Sequence, residues 1–205
     1  ANITAAGGDY SFEQALTVAA LLAPEIDAEQ SLVIIGADEY QDPLTDLFDA
    51  SVRTEPTKSD GGGALCVRKA RPDSPARVRA AFFETAGQPG QTVTALVDRL
   101  GGVSHFNDAF GLIMVGIPLA FKDAGRRQFQ NLLSLTGFTG PVIDYRHLLG
   151  EYASATAVAV VLAARFLRSG RLPEGMLGPS AVDLQNKRAL IVGLGHCVTA
   201  IEICP

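Results

Sequence analysis

The chain ends in RALIVGLGHCVTAIEI (Arg188–Ile203), and this stretch decides the fold. Two mainly apolar runs, Arg188–Val192 and Cys197–Ile203, are separated by the short segment Gly193–His196, which contains two glycines. Apolar runs of this length are typical of buried strands, and a glycine turn between two such runs predicts an antiparallel pair. We therefore expect the protein to close with a β-hairpin.

The same stretch contains Gly193-Leu-Gly195, which also begins a dinucleotide-binding fingerprint. Val198 stands where that fingerprint has its third glycine, and only residues 196–205 follow. A crossover helix, a second strand and an acidic ribose ligand do not fit into so short a segment. The pattern favours a turn between strands, and no nucleotide cofactor is predicted.

Upstream of the hairpin, segments with strand-like and helix-like patterns alternate. Leu32–Ile35 is a continuous apolar run that ends at Gly36, which is typical of a strand buried on both faces. Other strands are predicted at Gly63–Val67, Ala76–Thr85, Leu112–Ile117 and Val142–Tyr145, and helices at Ala15–Ala23, Thr92–Leu100, Asp123–Leu135 and Ala153–Leu167. Alternating elements with a closing hairpin predict an α/β sandwich with a mixed sheet.

Two local patterns make further predictions. Ser11-Phe-Glu-Gln14 has the spacing of a capping box, in which a serine hydroxyl and a glutamine amide satisfy each other's backbone donors at a helix start. Asp38–Asp60 is polar and irregular, so we expect a loop with one turn of helix around Leu44–Phe48.

Composition restricts the function classes. The 205 residues are 47% hydrophobic, enough for one compact domain, or one and a half structural repeats, with a real core. The net charge is −5, from 17 basic and 22 acidic residues, which argues against a nucleic-acid partner. The basic pair Arg126–Arg127 is typical of a solvated face, with a docking patch for an acidic partner as the alternative.

The cysteines and the apolar stretches bear on the compartment. Cys66, Cys197 and Cys204 are odd in number and show no metal-binding spacing, so reduced thiols in a cytoplasmic protein and no metal are predicted. The longest apolar stretches, Ala109–Phe121 and Ala153–Ala164, are shorter than the roughly 20 residues that span a bilayer. We expect a soluble protein that is not a membrane partner.

Three stretches resemble the β-ketoacyl synthases of the thiolase-fold superfamily. They are NITAAGGDYSFEQAL (Asn2–Leu16), DYRHLLGEYASATAVAVVLAARFLRSGRLP (Asp144–Pro173) and LIVGLGHCVTAIEI (Leu190–Ile203). In that family these stretches hold the nucleophilic cysteine, a catalytic histidine and a glycine-rich closing turn. The resemblance implies a thiolase-like layered α/β sandwich whose N-terminal repeat is incomplete. Residues 1–75 would then be the end of the N-terminal repeat, and residues 76–205 the C-terminal repeat.

The reactive positions of the family carry other residues here. Aligned without gaps, the nucleophile falls on Ala5, and a one-residue slip places it on Ala6; the methyl group of either residue cannot form an acyl-enzyme. The first family histidine falls on Ile117. The second belongs to a Lys-x-x-x-Gly-His motif, which reads Arg146-His-Leu-Leu-Gly150-Glu151 in this chain. A carboxylate cannot donate the hydrogen bonds that stabilise an oxyanion unless its pKa is strongly raised.

The remaining polar residues of these stretches have two interpretations. Arg146 and Glu151 can pair as a buried or half-buried bridge, or they can belong to a functional site. His147 and His196 lie in apolar surroundings in the sequence, which favours core or pocket-wall histidines. If both histidines reach one cavity with Glu151, a general acid/base pair becomes possible.

The closing turn is similar to a Gly-Phe-Gly-Gly turn whose backbone lines the acyl pocket of ketosynthases. Gly193 and Gly195 match two of its glycines, and His196 replaces the last. Because a histidine adopts glycine-only backbone angles with strain, we expect the turn geometry to differ there.

The chain resembles ketosynthases in three stretches but lacks their reactive residues. The resemblance therefore implies a non-catalytic ketosynthase-like subunit, similar to the chain-length factors that pair with an active ketosynthase. Such a subunit would support acyl-chain building in fatty-acid- or polyketide-type synthesis. The implied partners are a ketosynthase-like protein or a second copy of the chain, and an acyl carrier protein. The alternative is a rewired thioesterase, decarboxylase or acyltransferase that uses Glu151 with His147 or His196 on acyl thioesters. Neither function requires a cofactor.

Overall fold

A computed structural model describes residues 2–27, 29–39, 59–71, 74, 76–88, 90–178 and 180–205. The helices are α1 (Ser11–Leu22), α2 (Gln91–Arg99), α3 (Val103–Ala109), α4 (Lys122–Thr136), α5 (Tyr145–Leu149) and α6 (Ala155–Ser169). The strands are β1 (Leu32–Asp38), β2 (Gly61–Val67), β3 (Arg77–Thr85), β4 (Phe110–Gly116), β5 (Val142–Asp144), β6 (Arg171–Leu172), β7 (Val182–Asp183), β8 (Arg188–Gly193) and β9 (Cys197–Cys204). In the described part of the chain, no helix is long and apolar enough to cross a membrane.

A five-stranded mixed sheet with the order β3-β9-β8-β4-β5 forms the centre of the fold. Strand β9 runs antiparallel to β3 and β8, whereas β8, β4 and β5 are parallel. Ala189 pairs with Ile203 in the closing hairpin, which confirms the prediction made from the last stretch of the sequence. Strands β4, β8 and β9 are buried along almost their whole length, as their continuous apolar sequences require.

Helices cover both faces of this sheet. Leu16 of α1 and Val160 of α6 pack with Ile191 on one face. Leu96 of α2 and Leu132 of α4 pack on the other face, together with α3. The two apolar clusters make the protein a layered α/β sandwich with a mixed sheet, as predicted.

Strands β1 and β2 form a separate antiparallel ribbon. Its inner face packs on α1 and α6 through residues such as Ile34. On its outer face Val33 is 62% exposed and Ile35 is 67% exposed, opposite Cys66 and Ala64. The prediction that this first strand is buried on both faces is wrong, because no described element covers the outer face.

The start of α1 also differs from the prediction. The helix begins at Ser11 rather than Ala15, and no side chain caps it. The Ser11 hydroxyl accepts a hydrogen bond from the backbone N–H of Gly7 at 2.9 Å and donates to the carbonyl of Gly8. Ser11 therefore closes the turn before the helix, so the predicted capping box is wrong. The helical turn predicted at Leu44–Phe48 lies outside the described residues.

Helix ends follow the glycine signals closely. Gly137 and Gly170 end α4 and α6 in the left-handed conformation, with φ of 59° and 68°. The strand predicted at Val142–Tyr145 ends at Asp144, whose carboxylate accepts the N–H of His147 at 2.9 Å and so caps the short helix α5. Helices α3 and α5 and the pair β6–β7 were not predicted.

Candidate functional site

Three parts of the chain meet at the carboxyl end of the central strands. They are the start of α1, the end of β4 and the segment Gly193–His196 between β8 and β9, called the closing turn below. The Tyr10 hydroxyl lies 3.4 Å from the carbonyl oxygen of Leu194, and the N–H of Leu194 donates to the carbonyl of Gly116 at 3.0 Å. These two contacts connect the chain segments that contain Ala5, Ile117 and the glycines of the closing turn, which are the positions matched to reactive or pocket-lining residues of the ketosynthases.

Arg146 is the main charged group of this region and is only 3% exposed. Its guanidinium contacts Glu151 at 2.8 Å and Asp9 at 2.9 Å. The bridge to Glu151 was one of the two alternatives predicted, whereas Asp9 was not predicted at all. Asp9 lies just before α1, so the bridge ties the start of that helix to α5.

Charge and burial oppose each other in this bridge. Burial alone would lower the pKa of Arg146, but the carboxylate of Asp9, with Tyr145 and Glu151, outweighs burial and raises it. Burial raises the pKa of Glu151, and the Arg146 guanidinium offsets part of that effect. The two carboxylates hold the terminal nitrogens of the Arg146 guanidinium, whereas its buried Nε has no hydrogen-bond partner among the described residues.

Glu13 is a second buried ionisable group, 3% exposed, on the inner side of α1. Its Oε1 accepts a hydrogen bond from the Thr156 hydroxyl at 2.9 Å, and the Thr199 hydroxyl lies 3.5 Å away. Burial raises the pKa of Glu13 to about 7. Sequence reasoning missed this residue, although a signal was present. Glu13 precedes the core residue Leu16 by three positions, which places a carboxyl on the buried face of the helix.

The closing turn is held by Gln128 of α4. The Gly195 N–H donates to Gln128 Oε1 at 2.7 Å, and Gln128 Nε2 donates to the Gly195 carbonyl at 3.0 Å. Gly195 has a φ of 137°, and a Cβ there would lie 2.6 Å from Cβ of Phe121. The turn is therefore tight and closely packed, as predicted. That its backbone lines an acyl pocket stays a prediction.

The two histidines do not lie in the core. His147 is exposed on α5, and His196 is exposed in the closing turn, where it stacks on Phe121 with ring centroids 5.7 Å apart. His196 also has no positive φ, so the strain expected at that position is absent. Within the described residues, neither histidine makes a hydrogen bond or ion pair with Glu151, whose only such partner there is Arg146.

The positions aligned with the family's nucleophile and first histidine hold aliphatic side chains in the structure too. Ala5 is half-buried in the irregular segment before α1, and Ile117 is half-buried just after β4. A Cβ at Gly125 would overlap Ile117, so this side chain packs on α4. Neither side chain can transfer a proton or attack a thioester.

Comparisons with known proteins give a structural match only. No family model matches the chain, and no curated protein is significantly similar to it in sequence. The oxazolomycin ketosynthase domain of Streptomyces albus JA3453 is similar in structure, with a TM-score of 0.68, 12% identity, and coverage of 96% of this chain and 63% of that one. A type II polyketide ketosynthase in complex with its acyl-carrier protein has a TM-score of 0.64 and 14% identity, covering 98% and 59%. The ishigamide ketosynthase/chain length factor has a TM-score of 0.62 and 13% identity, covering 98% and 58%.

The chain therefore has the fold of the ketosynthases, as the resemblance in sequence predicted. Identities of 12 to 14% establish the fold alone. The chain spans 58 to 63% of the length of these three proteins, so more than a third of each has no counterpart in it.

Proposed function

We propose that the protein is a non-catalytic ketosynthase-like subunit that works with an active ketosynthase in fatty-acid- or polyketide-type chain building. One observation carries the proposal. Ala5 and Ile117 at the aligned reactive positions are aliphatic, and Glu151 at the third is held by Arg146. A pocket without a nucleophile or a free proton donor can still bind and measure an acyl chain.

Other nucleophiles near the pocket do not replace the missing thiol. Cys197 begins β9 beside the closing turn, and burial raises the pKa of its thiol, so little of the reactive thiolate forms at neutral pH. The Ser11 hydroxyl donates to the carbonyl of Gly8, and no histidine contacts it in the described part of the chain. Both groups lack the activation that acyl transfer requires.

The ribbon of β1 and β2 supports a need for a partner. Its outer face carries Val33, Ile35, Ala37, Ala64 and Cys66, all exposed and none of them charged. Among the described residues, neither outer edge of the ribbon pairs with a further strand. Uncovered apolar faces and open strand edges are typical of surfaces that another polypeptide segment completes. Removing this apolar surface from water contributes about 25 cal/mol per Å2 to assembly, before the opposing entropic cost of association.

The partner in this proposal is a ketosynthase-like protein, with a second copy of the chain as the alternative. Proteins of this fold are seen as a ketosynthase/chain length factor and as a ketosynthase in complex with its acyl-carrier protein. Arg126 and Arg127 are exposed on α4, which also carries the Gln128 that holds the closing turn. This pair is our candidate contact for an acidic carrier protein in the cytoplasm.

The test is a reconstitution with purified ketosynthases of the source organism and their acyl carrier proteins. We expect native mass spectrometry to detect a complex of the two ketosynthase-like chains. We also expect the lengths of the acyl products to change when this subunit is left out. An Ile35→Asp variant should weaken the complex, whereas Leu177→Asp, at another exposed apolar side chain, should not. A protein that stays alone, with product lengths unchanged by its removal, would rule out the proposal.

The rewired-enzyme alternative has one observation in its favour: burial raises the pKa of Glu151 above its ordinary value, against the opposing effect of Arg146, as is typical of carboxyl groups that exchange protons. Its test is turnover of malonyl and acyl thioesters by the isolated protein. Hydrolysis or decarboxylation that disappears in Glu151→Gln, but persists in the exposed-site control Glu174→Gln, would favour the enzyme over the subunit.

A further inference from the structure

We infer that Glu13 is a positioning residue that couples the three parts of the candidate site, so that ionisation of its carboxyl loosens all three together. The inference deepens the proposed function, because it concerns the walls of the same pocket. It does not depend on whether the pocket binds an acyl chain.

The first connection leads from Glu13 to the end of β4. The Thr156 hydroxyl donates to Glu13 Oε1 at 2.9 Å and lies 2.9 Å from the Tyr145 hydroxyl. The Tyr145 ring lies against the backbone of Gly116, where even a Cβ would overlap it. A single buried chain of hydroxyl groups therefore joins helix α1 to the last residue of the strand.

The second connection leads to the closing turn. The Thr199 hydroxyl lies 3.5 Å from Glu13 Oε1 and directly against Gly193, the last residue of β8. A Cβ at Gly193 would lie 3.3 Å from the same carboxylate oxygen. Glu13 itself belongs to α1, so its carboxyl contacts elements far apart in the sequence but adjacent around the pocket.

Burial, rather than the charged and titratable groups around it, favours the neutral form of Glu13. Asp9 and Tyr10 precede α1, Tyr145 and Arg146 belong to α5, and Cys197 begins β9. Arg146 is the cation among them, and two other carboxylates already hold it. Burial raises the pKa of Glu13 to about 7, against smaller opposing effects of Thr156 and Arg146. Its Oε2 has no hydrogen-bond partner among the described residues, so a full negative charge is poorly compensated there.

The direction of the pH effect follows from linkage. While Glu13 is buried its carboxyl keeps its proton up to about pH 7, whereas once hydrated it titrates near its ordinary value of 4.5. Opening therefore becomes about tenfold easier with each pH unit between 4.5 and 7 and is constant above pH 7. The whole change corresponds to a factor of about 300 in the opening equilibrium.

The test is amide hydrogen exchange followed by NMR between pH 4.5 and 8.5, corrected for the intrinsic exchange rates. We expect protection at Gly116, Leu194 and Gly195 to fall together by up to about 300-fold as the pH rises to 7. Leu100, at the end of α2 on the opposite side of the sheet, serves as the reference amide and should not follow them. In Glu13→Gln the dependence should disappear, and in the exposed-site control Glu25→Gln it should remain.

Three outcomes would overturn the inference: no pH dependence at the pocket amides, the same dependence at Leu100, or an unchanged dependence in Glu13→Gln. If Glu13→Gln does not fold, Thr156→Val provides the second variant. It removes the hydroxyl that donates to Glu13 Oε1 and lowers the pKa of its carboxyl, so the fall in protection should move to higher pH, and an unchanged pH dependence would overturn the inference. Failure of the proposed function would instead appear as missing acyl-chain or partner binding, with these exchange results intact.

Discussion

Replacing Arg146 by methionine should destabilise the protein by about 3 kcal/mol, because it leaves two carboxylates without their cation. Breaking a buried ion pair by removing one partner typically costs about 3 to 5 kcal/mol. The lower end applies here because Asp9 is 26% exposed and can regain water, whereas Glu151 is only 10% exposed. Methionine retains most of the side-chain volume, so the loss reports the missing charge rather than a cavity.

The assay is urea unfolding followed by far-UV circular dichroism at pH 7.5 and at pH 5. The difference between Arg146→Met and the wild type should shrink at pH 5. Removing the cation raises the pKa of Glu151 further, so this carboxyl takes up a proton in the folded variant. Arg165→Met is the matched control, since Arg165 is exposed on α6 and its replacement should change stability by less than about 0.5 kcal/mol. A loss no larger than that of the control would refute the view that Arg146 holds the start of α1 to α5.

Three further predictions test other parts of the structure. Glu202 of β9 forms salt bridges with Arg79 and Arg188. Burial raises the pKa of Glu202, but the two arginines outweigh burial and lower the pKa overall. The carboxylate therefore stabilises the protein at neutral pH, and this stabilisation is lost as the pH falls through the pKa of Glu202 in the folded state. The side chains of Arg79 and Arg188 are partly exposed, at 49% and 40%, and water screens both bridges. Glu202→Gln should therefore cost only about 1 kcal/mol at pH 7 in urea unfolding and progressively less towards pH 3, and an equal loss at both pH values would contradict this. Because the side chain of Ile35 is exposed, Ile35→Ser should leave the unfolding free energy of the isolated chain within about 0.5 kcal/mol of wild type. The same variant should weaken partner binding in sedimentation velocity. A large loss of stability would show that another part of the chain covers the outer face of the ribbon. Gly195→Ala should destabilise the protein by about 2 kcal/mol or more in thermal unfolding. Gly178→Ala should cost less, because Gly178 has a similar φ of 152° but nothing within 4 Å of an added Cβ. Similar losses in the two variants would show that backbone strain, rather than packing on Phe121, determines the loss of stability at Gly195.

Much of the fold could be predicted from local patterns. Strands β8 and β9 are continuous apolar runs on either side of a glycine turn, and α4 and α6 end at glycines that adopt the left-handed conformation. Helix α3 was missed because its seven residues contribute only two buried side chains, too few for a periodic pattern. The one-sided burial of β1 could not be predicted, because an apolar run does not reveal whether a second layer is present to cover it.

The candidate site was predictable only where sequence neighbours interact. Arg146 and Glu151 are five residues apart, and their bridge was among the predicted alternatives. Arg146 and Asp9 are separated by 137 residues, and Glu13 and Thr199 by 186, so no spacing in the sequence indicates these contacts. The exposure of His147 and His196 was missed for a similar reason, since apolar sequence neighbours on a short helix or in a turn can point to the opposite side.

Intact-protein mass spectrometry after incubation with acyl thioesters tests the absence of chemistry most directly. Because the exposed Cys66 can react without catalysis, the experiment uses a Cys66→Ser background and peptide mapping. We expect no acyl adduct on the protein. When Ala5→Cys restores a thiol at the aligned position, an adduct should map to residue 5 and form faster than the uncatalysed adduct on Cys66 of the protein that retains that cysteine. A covalent acyl group on the protein that retains Ala5 would contradict the account.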